Sequence, residues 1–280
     1  MDPFAYLDRI GFSGRPSVDL ETLRTLHRLH LLSFPYENID VQLGRFVSTD
    51  PAVAFRKLVT DRRGGWCYEM NGLFGAILAA LGFQVTGVQA TTSPRSGVGT
   101  LPHFALVIDL EQPYLVDVGF GDGLLEPLPI KAGVYRQRDK QFGIEAPRPS
   151  VWRFNNHPSS SVKGFDFTLS PADPARLAAD SRRLQSAPDS PYVQNLVCQR
   201  HTRYGVTVLL GRVLCRARAE TPDVRTLEST EEFVWALEEE FDLTVPKPAE
   251  LWAGVCERHA LLFPRPQVFT TLPGLRPANG

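Results

Sequence analysis

One stretch, Arg63-Gly64-Gly65-Trp66-Cys67-Tyr68-Glu69-Met70-Asn71, decides how this chain folds, because it sets a single cysteine at the start of an apolar helix. The glycine pair permits close backbone approach and positive φ, which suits a tight entry into a helix. The helix is predicted to run from about Cys67 to Leu81, with Gly82 as its C-terminal cap. A helix N-terminus favours a thiolate, so Cys67 is a candidate nucleophile. Taken alone, the same setting also fits a small buried apolar residue.

Composition narrows the class of protein. The 280 residues are 43% hydrophobic, and 30 basic against 31 acidic residues give a formal net charge of -1, so no nucleic-acid partner is expected. The N-terminus lacks the basic and apolar regions of a signal peptide, and the longest apolar run, 73–81, is too short for the roughly 20 residues of a membrane span. We therefore expect a cytoplasmic protein without a membrane partner.

The cysteines and histidines do not form a metal-binding pattern. Four cysteines are widely spaced without a CxxC pair, which is typical of free thiols in a reducing compartment: Cys67, Cys198, Cys215 and Cys256. No spacing typical of a zinc site is present, and we predict no metal. His27 and His30 share a helix at a spacing of three and are assigned to the helical core.

Hydrophobic periodicity divides the chain into three parts. The first third reads as helices, the middle third as strands without intervening helices, and the last third as both. Strands of this kind favour an antiparallel barrel or sandwich over a doubly wound sheet. The predicted helices span about 3–11, 19–34, 51–59, 67–81, 230–241 and 248–262. The predicted strands span 84–92, 103–110, 114–118, 151–155, 165–169, 205–210 and 212–217. Residues 133–148 are expected to form a loop or an irregular hairpin, and the tail from Pro264 to be loosely ordered.

His103 and Asp117 follow Cys67 in the chain order of a papain-like cysteine triad. They lie on the two strands of one predicted hairpin, a few residues off direct register. Their spacing has the even parity that allows side chains to share a face. A carboxylate in the apolar strand Leu115-Val116-Asp117-Val118 needs a partner, and His103 is the obvious candidate. Alone, His103 also fits a half-buried strand histidine bonded to backbone.

The glycine-rich segment 119–123 does not match a nucleotide-binding loop. It lacks the G-x-G-x-x-G spacing, and no P-loop lysine follows it. Two interpretations stay open: a flexible loop beside the active site, or a plain exit from the hairpin.

These motifs together resemble those of the arylamine N-acetyltransferases. The stretch 63–71 resembles the family's active-site signature, and Phe34-Pro35-Tyr36-Glu37-Asn38-Ile39 resembles its Pro-Phe-Glu-Asn motif, with Tyr36 in place of the common Phe. His103 and Asp117-Val118-Gly119-Phe120-Gly121 fit the other two triad positions. The resemblance covers about residues 20–125.

The resemblance implies an α+β fold of three domains. These are a helical bundle at 1–83 carrying the nucleophile, an antiparallel β-barrel at 84–190 carrying His103 and Asp117, and an α/β lid at 191–280. It implies acetyl-CoA as cosubstrate, with no permanently bound cofactor. The implied acceptors are small arylamines, arylhydroxylamines or arylhydrazines, in xenobiotic metabolism. By position, Tyr36, Val88, Phe120 and Gly121 would contact the substrates.

The implied mechanism is a double displacement through an acetylated Cys67, with His103 as base and Asp117 as its orienting partner. Three alternatives stay open. A cysteine hydrolase or transglutaminase-like enzyme shares the triad, and a natural-product amide synthase is a closer variant. A catalytically silent binding module could retain the fold. The sequence does not determine the oligomeric state.

Overall fold

The structure is a computed structural model that describes residues 1–94, 99–160, 162–218 and 221–262. The prediction for the tail from Pro264 lies outside the described residues. Within them, no helix combines the length and the apolar content that crossing a membrane requires.

The first third of the chain is helical, as predicted. Its helices are α1 (Pro3–Arg9), α2 (Leu20–Ser33), α3 (Ile39–Gln42), α4 (Pro51–Phe55) with a following π-helical turn (Arg56–Thr60), and α5 (Cys67–Ala80). The N-termini of α1, α2 and α4 are each capped by an aspartate that accepts a backbone N–H bond: Asp2, Asp19 and Asp50. Asp19 therefore caps α2. The short β1 (Tyr36–Glu37) and α3 were not predicted.

The middle third forms one antiparallel sheet of eight strands, which curls into a nearly closed barrel. Its strands are β2 (Gln84–Pro94), β3 (Leu101–Asp109), β4 (Pro113–Val116), β5 (Leu128–Pro129), β6 (Gly133–Gln137), β7 (Lys140–Arg148), β8 (Val151–Asn155) and β9 (Val162–Phe167). Their order in the sheet is β5-β4-β3-β2-β9-β8-β7-β6. The predicted α+β class with an antiparallel barrel is confirmed.

The segment 133–148 is more regular than its sequence indicates. β6 and β7 pair in continuous register from Gly133↔Ile144 to Gln137↔Lys140, and the register shifts only where β7 pairs with β8, between Glu145 and Arg148. Phe142 and Ile144 are buried in the barrel interior. The expectation of a loop or irregular hairpin was wrong because charged residues on the outer face conceal the alternation of inward-facing apolar ones.

The last third combines helices with a five-stranded antiparallel sheet. The elements are α6 (Pro174–Ser186), α7 (Pro191–Gln194), β10 (Val197–Thr202), β11 (Gly205–Leu210), β12 (Val213–Arg216), β13 (Asp223–Thr226), α8 (Thr230–Trp235) with a π-helical turn (Ala236–Glu240), and α9 (Pro248–Leu262). The sheet order is β1-β10-β11-β12-β13, so a strand from the N-terminal third forms one edge. The predicted domain limits, 1–83, 84–190 and 191–280, stay a prediction.

Helix α5 lies at the centre of the structure. Most of its residues are buried, while Gly72 and Ala76 are half-buried and Ala79 and Ala80 at the C-terminal end are exposed. Phe74 and Leu78 belong to the same core cluster as Leu106 of β3 and Val116 of β4. A helix that is apolar all round is stable only when it is enclosed. The barrel hairpin that carries His103 and Asp117 is thereby packed against the helix that begins at Cys67.

Candidate active site

Cys67 is the first residue of α5, and its side chain is buried. The preceding glycines allow close approach, as predicted: a Cβ on Gly64 would overlap the Pro35 carbonyl oxygen, and one on Gly65 would lie 2.8 Å from Glu69 Oε2. Neither glycine adopts the positive φ that a glycine permits. The pair is required by close packing and not by backbone conformation.

The segment before the glycines is paired with them. The Glu37 N–H donates to the Gly65 carbonyl at 3.0 Å, and the Gly65 N–H donates to the Pro35 carbonyl at 3.2 Å. This ladder brings Tyr36 opposite Gly65, two residues before Cys67. Two motifs that are about 28 residues apart in the sequence therefore form one surface beside the cysteine.

A buried charge cluster fixes the entry to α5. Arg63 Nη2 donates to Glu37 Oε1 at 2.8 Å, and Lys57 Nζ donates to Glu69 Oε1 at 2.9 Å and lies 2.8 Å from Asp40 Oδ2. Burial alone would lower the pKa of Lys57, but the three carboxylates raise it. Breaking such a cluster by removing one partner leaves an uncompensated buried charge. The cluster thus holds the turn that presents Cys67.

His103 and Asp117 are in direct contact. His103 Nε2 donates to Asp117 Oδ2 at 2.7 Å, and both side chains are buried. Asp117 lies one residue beyond β4, so the prediction that it lies on a strand was wrong. The register Leu106↔Val116 would set Asp117 opposite Ala105, two residues from His103, which agrees with the even parity expected from the sequence.

The environment of His103 favours its protonated form. Burial alone would lower the pKa of this ring, but the Asp117 carboxylate and a hydrogen bond with Cys67 raise it to about 10. Since Asp117 occupies Nε2, Nδ1 is the ring nitrogen left for the sulfur. A cation beside a thiol at a helix N-terminus favours the thiolate. Cys67, His103 and Asp117 are therefore brought together as the sequence predicted.

Asn71 is a site residue whose role the sequence analysis missed. Its Nδ2 donates to Asp117 Oδ1 at 2.8 Å and to the Phe104 carbonyl at 2.7 Å, while its Oδ1 accepts from the Val118 N–H at 2.9 Å. It is fully buried and lies one helical turn after Cys67, on the same face of α5. A buried amide in an apolar helix was the signal available in the sequence, since such a group must find hydrogen-bond partners.

The segment 119–123 lies beside the triad. A Cβ on Gly119 would lie 2.5 Å from Cys67 Cα, and the Phe120 ring lies 5.1 Å from the His103 ring, edge-on. Gly121 has a φ of 70°, and a Cβ there would overlap Gln199 Oε1. Its carbonyl accepts a bond from His201 Nε2 at 2.9 Å. Each glycine is required by its surroundings, so the segment is part of the site and not a plain hairpin exit.

Tyr36 and Val88 differ in their position relative to Cys67 and His103. Tyr36 is buried beside Cys67, and its hydroxyl bonds that of Tyr192. Burial first, and then Tyr192 and Cys67, raise the pKa of Tyr36. Val88 lies in the barrel interior cluster, against which Phe120 packs. Val88 thus shares the barrel interior with Phe120 and Phe165, whose rings contact that of His103.

Comparisons with known proteins agree over most of the chain. A family described as N-acetyltransferase matches residues 19–249. An arylamine N-acetyltransferase of Mycolicibacterium smegmatis is 36% identical over 215 residues, or 70% of this chain and 75% of the relative. Proansamycin X synthase of Amycolatopsis mediterranei (strain S699) is 30% identical over 243 residues, or 83% of this chain and 94% of the relative. The structure of Mycobacterium marinum arylamine N-acetyltransferase in complex with CoA superposes with a TM-score of 0.83 at 27% identity, covering 91% of this chain and 99% of that one. The match extends well past the residues 20–125 that carry the sequence motifs.

Proposed function

Since this chain belongs to the arylamine N-acetyltransferase family of acyltransferases, we propose that it transfers the acetyl group of acetyl-CoA to small aromatic amines through an acetylated Cys67. The acceptors we propose are arylamines, arylhydroxylamines and arylhydrazines, and the donor is a cosubstrate and not a resident cofactor. The likeness to a CoA-bound arylamine N-acetyltransferase supports the choice of donor.

One observation carries the proposal. Cys67 begins a long buried helix, and His103, bonded to Asp117 at 2.7 Å, lies within hydrogen-bonding reach of its sulfur. Nucleophile, base and orienting group are the three parts that covalent acyl transfer requires. The burial of all three excludes bulk water from the reacting atoms.

In the first half-reaction, the Cys67 thiolate attacks the carbonyl carbon of the thioester. The bond between Cys67 Sγ and that carbon forms, and the bond from the carbon to the CoA sulfur breaks. His103 gives its proton to the departing sulfur, so CoA leaves as the free thiol. The first-turn backbone N–H of Cys67 has no partner within the helix and can donate to the developing oxyanion.

In the second half-reaction, the amine attacks the acetyl group on Cys67. An aniline nitrogen is neutral at pH 7, so it attacks without prior deprotonation. The nitrogen–carbon bond forms, neutral His103 takes the proton from nitrogen, and Cys67 leaves as the thiolate. The thiolate and the protonated ring are then restored for the next cycle.

The acceptor is proposed to lie between Tyr36 and Phe120. Phe120 offers an aromatic face next to His103, and Tyr36 adds a hydroxyl beside Cys67 where a phenylalanine is the family's common residue. Gly121 would allow the CoA arm to pass close to the backbone, while Val88 would act through Phe120.

The test is release of CoA from acetyl-CoA, with and without a panel of arylamines and arylhydrazines. We expect release to need an acceptor after the first turnover, parallel lines in steady-state plots, and one acetyl group on the peptide that bears Cys67. Cys67→Ala should abolish the release of CoA, the transfer to acceptors and the acetyl label. Cys215→Ala is the matched control, since Cys215 is also an unpaired thiol and burial raises its pKa. Intersecting lines without labelled enzyme would contradict the covalent scheme, and fast CoA release to water alone would favour a hydrolase.

A synthase is the second candidate, because a relative that this chain matches over 94% of its length is named proansamycin X synthase. Such an enzyme would use a larger acyl thioester than acetyl-CoA. Failure to turn over acetyl-CoA with any aryl acceptor, together with rapid acylation of Cys67 by longer thioesters, would favour this candidate.

A further inference from the structure

His27 connects the two ends of the segment that forms one side of the site. It lies on α2, fully buried, and its ring reaches two backbone groups of the barrel region. Its Nδ1 is 3.0 Å from the Leu125 carbonyl oxygen, and its Nε2 is 3.3 Å from the Asp117 backbone nitrogen. The sequence pattern assigns this residue only to the helical core and gives it no role in the chemistry.

The two contacts define the tautomer of His27. A carbonyl oxygen can only accept, so Nδ1 carries the proton and donates to Leu125. Nε2 is then unprotonated and accepts from the Asp117 N–H. Burial lowers the pKa of His27 to about 4, so the ring is neutral at pH 7. The titratable groups that face it are Asp117, His201 and His30.

The segment between the two contacts contains much of the site. It begins at Asp117, continues through Gly119 against Cys67 and Phe120 against His103, and ends at Leu125. Asn71 holds the carboxylate of Asp117 by its side chain, whereas His27 holds the same residue by its backbone. The Phe74 ring, 6.0 Å away and edge-on, packs against the imidazole and restricts its orientation.

We propose that His27 is a positioning residue, which fixes the backbone at Asp117 so that its carboxylate meets His103 Nε2. The proposal rests on the proposed function, because positioning matters only if the Cys67–His103–Asp117 array does the chemistry. A shift of about 1 Å in such an array can cost roughly 100-fold in rate.

Two substitutions separate the two contacts of the ring. The amide of His27→Asn can place its NH₂ near the position of Nδ1 and keep the bond to Leu125, but it loses the acceptor for Asp117. The longer His27→Gln can place its oxygen near the position of Nε2 and keep the bond to Asp117. His30 provides the matched control, because it lies on the same helix, is equally buried, and bonds the Tyr6 hydroxyl at 2.8 Å.

The experiment compares kcat/KM and the pH dependence of Cys67 alkylation by iodoacetamide in folded variants. We expect His27→Asn to lower kcat/KM by about 10- to 100-fold. It should also move the pH profile of alkylation toward that of His103→Gln, the variant that lacks the cation beside Cys67. His27→Gln should stay within about threefold of wild type on both measurements. His30→Asn and His30→Gln should lower the melting temperature and leave both measurements unchanged. Equal behaviour of the His27 and His30 variants would overturn the proposal.

Alkylation needs no acetyl donor, so the proposed function and this inference can fail separately. If wild type and His103→Gln alkylate alike, the proposed activation of Cys67 fails. If those two differ and His27→Asn alkylates like wild type, only the role of His27 fails. Should His27→Asn not fold, nitrogen NMR of the wild-type imidazoles decides, because the proposal requires a neutral Nδ1–H ring at pH 7. A charged ring or an Nε2–H tautomer would overturn it.

Discussion

Asn71 donates a hydrogen bond to Asp117 at 2.8 Å, so the helix that begins with Cys67 also holds the carboxylate that orients His103. The cysteine and the carboxylate come from the helical and barrel parts of the chain, and Asn71 ties the two parts at the point where they meet. Its remaining bonds, to the Phe104 carbonyl and from the Val118 N–H, extend this tie to the backbone of β3 and of the segment that follows β4. The geometry of the array therefore depends on an amide that does not itself react.

Asn71→Ala should impair the reaction more than the fold. The substitution leaves the Val118 N–H and the Phe104 carbonyl without the Asn71 side chain, and it removes one of the two bonds that Asp117 Oδ1 accepts, the other coming from the Gly119 N–H. This loss should cost about 1–3 kcal/mol of unfolding free energy. Freed from its anchor, Asp117 should orient His103 less well, and we expect kcat/KM to fall by about 10- to 100-fold. Asn156→Ala is the control: Asn156 is also buried, and it donates to the Asp122 carbonyl at 2.9 Å and to Ser160 at 2.8 Å. Chemical unfolding and steady-state rates check both, and equal rate losses would show that Asn71 has no particular role.

Asp117→Asn should preserve the array and reverse its hydrogen bonding. The new oxygen can still accept from Asn71 and the Gly119 N–H, so its NH₂ must face His103 Nε2. Nε2 then accepts, and the ring proton moves to Nδ1, toward Cys67. We expect soluble, folded enzyme with a loss of about 10³- to 10⁴-fold in kcat, by analogy with serine triads. Near-normal turnover in a folded variant would refute the assignment of Asp117.

The sequence is sufficient to select Cys67 and Asp117 as candidates because each has a strong local signal. A cysteine after a glycine pair, and a carboxylate within the apolar stretch 115–118, both violate what a plain helix or strand would contain. The parity of the hairpin alone then predicts that His103 lies near Asp117. Cys67 itself is harder to place, since only packing of the barrel hairpin on α5 brings it to the other two.

Other parts of the site could not be derived from the sequence because their partners are distant in it. Asn71 bonds residues 33 to 47 positions away, and His27 bonds residues 90 and 98 positions away. The missed helix α6 is a different case, because its signal is present in the sequence. Asp173 caps the helix by accepting a bond from the Ala175 N–H at 2.9 Å, and a proline occupies the first turn. That helix follows directly on the strands of the middle third, whose stronger alternation conceals its capping pattern.

Protonation of His103 should stabilise the fold in a defined pH range. Its pKa is raised to about 10 against an ordinary value of 6.5. Because folding raises this pKa, the stabilisation is complete below pH 6.5 and is lost as the pH rises toward the folded-state pKa. The measurement is made in a Cys67→Ala background, so that no thiol gains or loses a proton. The folded-state pKa of His103 then falls below 10, because Cys67 no longer raises it. The difference in unfolding free energy between that variant and its His103→Gln derivative should decrease above pH 6.5, by up to about 1.4 kcal/mol per pH unit. A difference that is constant from pH 6 to 10 would contradict a raised pKa.

Gly119→Ala should abolish activity, because the added methyl has no room. Its carbon would lie 2.5 Å from Cys67 Cα and 2.8 Å from Asn71 Nδ2, so the start of α5 or the segment after Asp117 must move. Overpacking of this kind costs about 1–3 kcal/mol, and the displaced atoms are those that react. Gly254→Ala is the matched control, since Gly254 lies inside α9 with open space at the Cβ position and should gain about 0.5–1 kcal/mol of stability. Thermal unfolding and acetyl transfer measured on both variants check the prediction. An active Gly119→Ala enzyme with unchanged stability would mean that Cys67 and Gly119 are not in the close contact seen here.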